Sequence, residues 1–388
     1  MTNLQDHLQG LWLPLVTPFR NGELDEPSLR RLVRHYAGGP VDGLILAATS
    51  GEGMSLATEE LERLVTIVRG ELSDARRYLP ICLGLSGAST AKMLDTLDET
   101  AAWPIDGYLI ASPYYIRPSQ RGLVQHFVAL ADHASWPIVL YNIPYRTAVN
   151  LDNETLLELA GHPNIVGMKD CCADRAQSID FLARRPPGFR VLTGEDAQYF
   201  DALTDSADGA ILLSAHLETE SFAAVRTLVK QGDRVAALAC WQSICELTRL
   251  LFTEPSPAPA KYWLARSGLI DSVSLKLPTK AMIHSSSGVR ASRVTASTSS
   301  PAITIKYITT PMTTPTTGRK SIQRSASVRS ANGEWRQRSS MDVNVPMSAH
   351  RSTGRGTPSK SCLFSSSAVG PPLSAPRWNN TASNPAHA

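Results

Sequence analysis

The 388-residue chain predicts a (β/α)8 TIM barrel, and three observations carry that prediction. Eight short apolar runs recur at roughly thirty-residue spacing, the length of one strand, one helix and two loops. The runs are apolar without alternation, as expected for a parallel sheet covered on both faces. Stretches of helical period separate them. The competing class is an open doubly wound sheet, but eight units exceed its usual strand number of roughly five to seven. No G-x-G-x-x-G follows an early strand either, since Gly51-Glu52-Gly53 supplies only the first two glycines.

In order, the predicted strands cover residues 11–16, 43–47, 80–85, 107–111, 137–141, 165–169, 190–193 and 209–213. Between them, Leu29, Leu32, Val33 and Tyr36 recur at helical spacing, as do Leu61, Leu64, Val65 and Val68, and then Leu123, Phe127 and Leu130. Thr58, followed by Glu59 and Glu60, and Ser119 are the predicted helix caps. After the eighth unit, helical patterns at 234–252 and 259–267 flank the turn-rich Glu254-Pro255-Ser256-Pro257. The predicted organisation is a catalytic barrel over 1–230, a C-terminal helical appendage over 231–280 and a low-complexity tail over 281–388.

The tail differs in kind from the body. It holds thirteen Lys/Arg and two acids, a net of +11, against 25 bases and 33 acids, a net of −8, in residues 1–280. Serine and threonine make up 34 of its 108 residues and no apolar period survives, so it cannot bury enough surface to offset its ordering entropy. The abrupt change at Thr279-Lys280 reads as a shift of reading frame or as a disordered basic arm. Its four aromatics, Tyr307, Trp335, Phe364 and Trp378, are too scattered for base stacking, and nucleic-acid binding is not expected.

Composition bounds the function. Hydrophobic residues at 43% and charged residues at 19% are those of a water-soluble globular chain. No apolar run approaches the ~20 residues of a membrane helix. The polar start, Met1-Thr2-Asn3-Leu4-Gln5-Asp6, lacks the pattern of a secretory signal, so a cytoplasmic location is expected. Six cysteines without a C-x-x-C pair, and histidines without an H-x-x-H cluster, predict reduced thiols and no metal.

In such a barrel the chemistry sits at the C-terminal ends of the strands. There the chain places Thr49-Ser50-Gly51-Glu52, Ser112-Pro113-Tyr114-Tyr115, Tyr141-Asn142-Ile143-Pro144-Tyr145-Arg146, Gly167-Met168-Lys169-Asp170 and Thr193-Gly194-Glu195-Asp196. Lys169 closes an apolar strand. Burial disfavours an ammonium, and a neutral amine attacks a ketone to form a Schiff base that serves as an electron sink. The alternative is a structural ion pair with Asp170. Tyr141 is a candidate proton shuttle or simply a buried aromatic; Thr49 and Ser50 are candidate hydroxyl ligands or turn formers. Arg146 has the planar fork suited to a carboxylate, or is a solvated surface residue. Cys171 and Cys172 read as packing residues.

Taken together these segments, with Leu15-Val16-Thr17-Pro18-Phe19, resemble the dihydrodipicolinate synthase / N-acetylneuraminate lyase superfamily, from Gly10 to about Leu277. The resemblance implies that Lys169 condenses with the ketone of pyruvate and that Tyr141 is the central proton-transfer tyrosine. It implies that Thr49 or Ser50 supplies the hydroxyl of the second-strand turn, with Ser50 in place of the usual second threonine. Tyr115 would be the tyrosine a neighbouring subunit lends to the relay, which implies a homo-oligomer, dimer or tetramer. Gly194 and Ile211 would line the pyruvate site. Arg146 points to the synthase branch, where the acceptor is L-aspartate 4-semialdehyde and the product leads to lysine and diaminopimelate. The second expectation is an aldolase or dehydratase of 2-keto-3-deoxy sugar acids, and the third a non-catalytic barrel scaffold. No cofactor is implied.

Overall fold

The computed structural model describes residues 3–278; the Ser/Thr/Arg-rich segment 281–388 lies outside the described residues. Eight parallel strands close a barrel: β1 Gly10–Pro14, β2 Gly43–Leu46, β3 Ile81–Leu85, β4 Gly107–Ala111, β5 Ile138–Asn142, β6 Ile165–Asp170, β7 Arg190–Thr193 and β8 Gly209–Ile211. Each pairs with its neighbour in sequence, and β1 closes the ring by pairing with both β2 and β8. The strand limits fall within one residue of those expected, except at two C-terminal ends. β1 stops at Pro14 rather than at residue 16, although the Leu15 amide still donates to Ile45 O at 2.9 Å. Likewise β8 ends at Ile211, two residues early.

The barrel interior is filled from inward-facing strand positions by Trp12, Ile45, Cys82, Leu109, Val139, Val166, Leu192 and Ile211. Leu4 and Leu8, from a one-turn helix Leu4–His7 and the residue after it, join the same cluster. Trp12 dictates its neighbour on β2: a Cβ at Gly43 would overlap the indole ring, so only glycine fits there.

Eight helices form the outer shell: α1 Glu26–Ala37, α2 Thr58–Asp74, α3 Thr90–Thr100, α4 Gln120–His133, α5 Asn153–Ala160, α6 Arg175–Arg184, α7 Tyr199–Thr204 and α8 Thr219–Lys230. Their apolar stripes pack on the outward-facing strand residues in one continuous core. Ser119 caps α4 as expected, its side chain accepting from the Gly122 amide. The cap of α2 is Ala57 instead of Thr58. There Glu60 accepts from the Ala57 amide at 3.0 Å, and Thr58 enters the first turn. A two-stranded hairpin, Phe19–Arg20 with Glu23–Leu24, was not anticipated. It turns on Asn21-Gly22, both at positive φ. Two further helices, α9 Arg234–Leu251 and α10 Ala258–Arg266, follow α8.

Two buried histidines give this shell a pH limit. Burial drives the pKa of both His126 and His216 down to about 4. In the unfolded chain an imidazole takes its proton near pH 6.5. Between about pH 6.5 and pH 4 the unfolded state therefore binds more protons, and stability falls as pH falls through that window. Urea unfolding across this range should show a declining midpoint, and His216→Gln should flatten part of the decline; an equal slope in the variant would assign the acid lability elsewhere.

Candidate active site

Lys169 stands one residue from the end of β6, where its Cα is in register with Tyr141 of β5 and Leu192 of β7. Strand alternation turns Lys169 inward and Asp170 outward. The lysine side chain is only 5% exposed. Its Nζ donates to the Tyr141 hydroxyl at 3.4 Å and lies 4.5 Å from the centre of that ring. Asp170 does not pair with it. That carboxylate accepts instead from the Ser178 hydroxyl at 2.5 Å and the Cys172 amide at 2.9 Å. Among the described residues no ion pair includes Lys169, so its amine meets a phenol rather than a carboxylate.

The other groups close in from neighbouring strand ends. The 3-10 turn Thr49–Gly51 follows β2, with Ser50 buried and the Thr49 hydroxyl hydrogen-bonded to Tyr141. Burial pushes the Tyr141 phenol well above its ordinary pKa, so it is a neutral donor–acceptor at neutral pH. Ile211, fully buried on β8, forms part of the same interior cluster as Tyr141 and Cys171. Gly194 follows β7, its amide donating to Asp170 O at 2.7 Å. A Cβ there would overlap Lys169 Cε and Cys171 Sγ, so the glycine makes the room in which the lysine chain lies.

Tyr115 and Arg146 are placed differently. Tyr115 is 88% exposed, at φ +71°, held by a backbone bond from its amide to Thr147 O at 3.3 Å. Within this chain it makes no hydrogen bond to Tyr141 or Lys169. Arg146 lies on the one-turn helix Pro144–Thr147 after β5, exposed, its guanidinium 5.7 Å from the Tyr145 ring centre.

Two features escape a reading of the sequence. The first is a buried ion pair 209 positions apart, between Glu52, after the Thr49–Gly51 turn, and Lys261 of α10. Lys261 also donates to Ser274 O at 3.0 Å and sits 4.4 Å from the Phe19 ring centre, while the second Glu52 oxygen accepts from the Lys276 amide at 2.9 Å. Burial lowers the Lys261 pKa to about 8. Glu52 itself sits at φ +55°, a left-handed backbone that the pair fixes in place. The second feature is Glu195, whose carboxyl faces the Tyr145 hydroxyl and the Cys171 thiol.

This chain belongs to the dihydrodipicolinate synthetase family, whose model matches residues 7–290. It is 41% identical over 273 residues to 4-hydroxy-tetrahydrodipicolinate synthase 2 of Clostridium acetobutylicum, covering 70% of this chain and 94% of that protein. It is 35% identical to 4-hydroxy-tetrahydrodipicolinate synthase of Pseudoalteromonas atlantica, over 69% of this chain and 91% of that one. Among solved structures, the 4-hydroxy-tetrahydrodipicolinate synthase of Methylacidiphilum fumariolicum SolV superposes with TM-score 0.67 at 33% identity, over 70% of this chain and 90% of that chain. A monomeric dihydrodipicolinate synthase variant superposes with TM-score 0.68 at 29% identity, over 72% and 93%.

The buried pair yields a stability test. Lys261→Met strands the Glu52 carboxylate and should cost about 3–5 kcal/mol in urea unfolding. The double variant Lys261→Met/Glu52→Gln should recover much of that loss. Equal losses in the single and double variants would show that packing at Lys261, rather than its charge, holds α10 to the loop.

Proposed function

We propose that this chain is a Schiff-base lyase that condenses pyruvate with L-aspartate 4-semialdehyde, the 4-hydroxy-tetrahydrodipicolinate synthase reaction. One observation carries the reading: a strand-end lysine, buried and without a carboxylate partner, in hydrogen-bond reach of a buried tyrosine. The names of its relatives point the same way.

In this reading Lys169 Nζ attacks the pyruvate ketone, and loss of water leaves an iminium that draws electrons from the pyruvate methyl carbon. Deprotonation of that carbon gives an enamine, which forms the new carbon–carbon bond at the aldehyde carbon of the acceptor. Tyr141, with Thr49 behind it, carries the protons of carbinolamine formation, dehydration and enamine formation; Ser50 orients the pyruvate carboxylate from the same turn. The iminium supplies the electron sink that a metal would otherwise provide, so no cofactor is required. Arg146 receives the acceptor carboxylate through its planar fork. Gly194 and Ile211 shape the pyruvate pocket. We assign residues 1–230 to catalysis, the helices of 231–280 to holding the second-strand loop, and the whole to the cytoplasm. Tyr115, exposed and unused within its own chain, completes the proton relay of a second copy, which makes the working unit at least a dimer.

The test is product formation from pyruvate and aspartate semialdehyde, followed by mass spectrometry. Tyr141→Phe should lower kcat by about 10²–10⁴-fold while leaving the fold intact. Gly194→Ala should abolish turnover by displacing the Lys169 side chain. Full activity in Tyr141→Phe would remove the proton-relay role, and turnover only with hydroxylated sugar-acid aldehydes would move the acceptor to the aldolase branch.

A further inference from the structure

The loop after β5 carries Arg146 at its exposed head. Through Thr147 O it also holds the Tyr115 amide, in the loop after β4, at 3.3 Å. Two residues here, Ala148 and Tyr115, sit at φ +62° and +71°. Non-glycine residues keep such a left-handed backbone only where their surroundings fix it. What fixes it lies at the back of the loop, on the outer side of the barrel wall.

Asn142, one residue past Tyr141, is turned away from the barrel interior by strand alternation and is fully buried. Its carboxamide bridges to the far end of the loop: Nδ2 donates to Asn150 Oδ1 at 2.9 Å, and Oδ1 accepts from the Leu151 amide at 3.1 Å. Gln177, in the first turn of α6, grips the same two residues. Its Oε1 accepts from Asn150 Nδ2 and its Nε2 donates to Leu151 O, both at 2.8 Å. Gln120 of α4 adds a bond to Asn150 O at 2.8 Å. The point where the loop returns is thus held by amide side chains from β5, α4 and α6. The α6 end is tied in turn to the lysine strand, since Ser178 donates to Asp170, the residue after Lys169.

We propose that Asn142, Asn150 and Gln177 are positioning residues for the second substrate, their amide chain fixing the loop that carries Arg146, and with it Tyr115, relative to Lys169. This rests on the acceptor role of Arg146 and the relay role of Tyr115 proposed above. Lys169 and Tyr141 do not depend on the clamp, because the β5–β6 ladder sets their Cα atoms in register. Breaking the clamp therefore separates the two halves of the reaction. Pyruvate still condenses with the lysine, and the enamine then meets a poorly held acceptor. Carboxamides suit the task, since each offers a donor and an acceptor in fixed directions without placing a charge beside the reactive amine.

The experiment measures both halves in the full chain. Asn142→Ala and Gln177→Met should each lower kcat/KM for aspartate semialdehyde by about 10- to 100-fold, mainly through a raised KM. Borohydride with pyruvate should still label Lys169 at the wild-type level in both. Gln177→Met, on an outer helix, serves if Asn142→Ala fails to fold. Hydrogen exchange over residues 143–151 should quicken in both variants. Ala148→Gly, which relieves the left-handed residue, should restore part of the loss when added to Gln177→Met. Equal losses of labelling and of turnover would overturn the clamp and make the amides part of the strand ends themselves. An unchanged kcat/KM in a folded Gln177→Met chain would overturn it as well. A wild-type chain that labels at Lys169 but does not turn over aspartate semialdehyde would overturn the acceptor reading, and with it the task given to the clamp.

Discussion

A lysine carried inside a closed parallel barrel must find its partners at the barrel mouth, and this constraint organises the site. Neighbouring parallel strands bring Tyr141 and Lys169 into register, so the two ends of β5 and β6 deliver a phenol and an amine to the same spot. Alternation sends Asp170 to the outside, where Ser178 and the Cys172 amide occupy it. Around the lysine side chain stand the Tyr141 hydroxyl, the Cys171 thiol and a glycine that leaves it room.

The turn that brings Thr49 and Ser50 to the same place depends on a distant part of the chain. Glu52 adopts a left-handed backbone and is buried, and a lone carboxylate there would be strongly destabilising. Lys261 from α10 and the amide of Lys276 satisfy it. The helices after α8 therefore bear on the chemistry through one ion pair. The charge that steadies the turn comes from Lys261 on α10, and a backbone amide, that of Lys276, adds to it from the segment that follows.

Most of the scaffold was legible because its strands are covered on both faces. Runs such as Gly107–Ala111 and Arg190–Thr193 have the same limits in the structure as in the apolar pattern. The Phe19–Arg20 hairpin was missed because its strands are two residues long, although Asn21-Gly22 is a hairpin turn signal. Thr58 reads as a cap from its residue type, yet the reach of Glu60 back to Ala57 moved the start of α2. Motif order placed Lys169, Tyr141, Thr49 and Gly194 at strand ends, where the structure has them together. Position alone left Lys169 open between a reactive amine and an ion pair with Asp170, since only side-chain direction separates the two. Glu52–Lys261 and the Glu195–Tyr145 contact are long-range or depend on where side chains turn, and no local pattern announces either.

The account stands on Lys169 as the amine that meets the ketone. Borohydride reduction in the presence of pyruvate, followed by a peptide map of the full chain, tests it directly. The expected result is a pyruvate-derived mass gain on the peptide bearing Lys169, absent from Lys169→Ala. No gain on a folded, assembled protein, or a gain on another lysine, would contradict it.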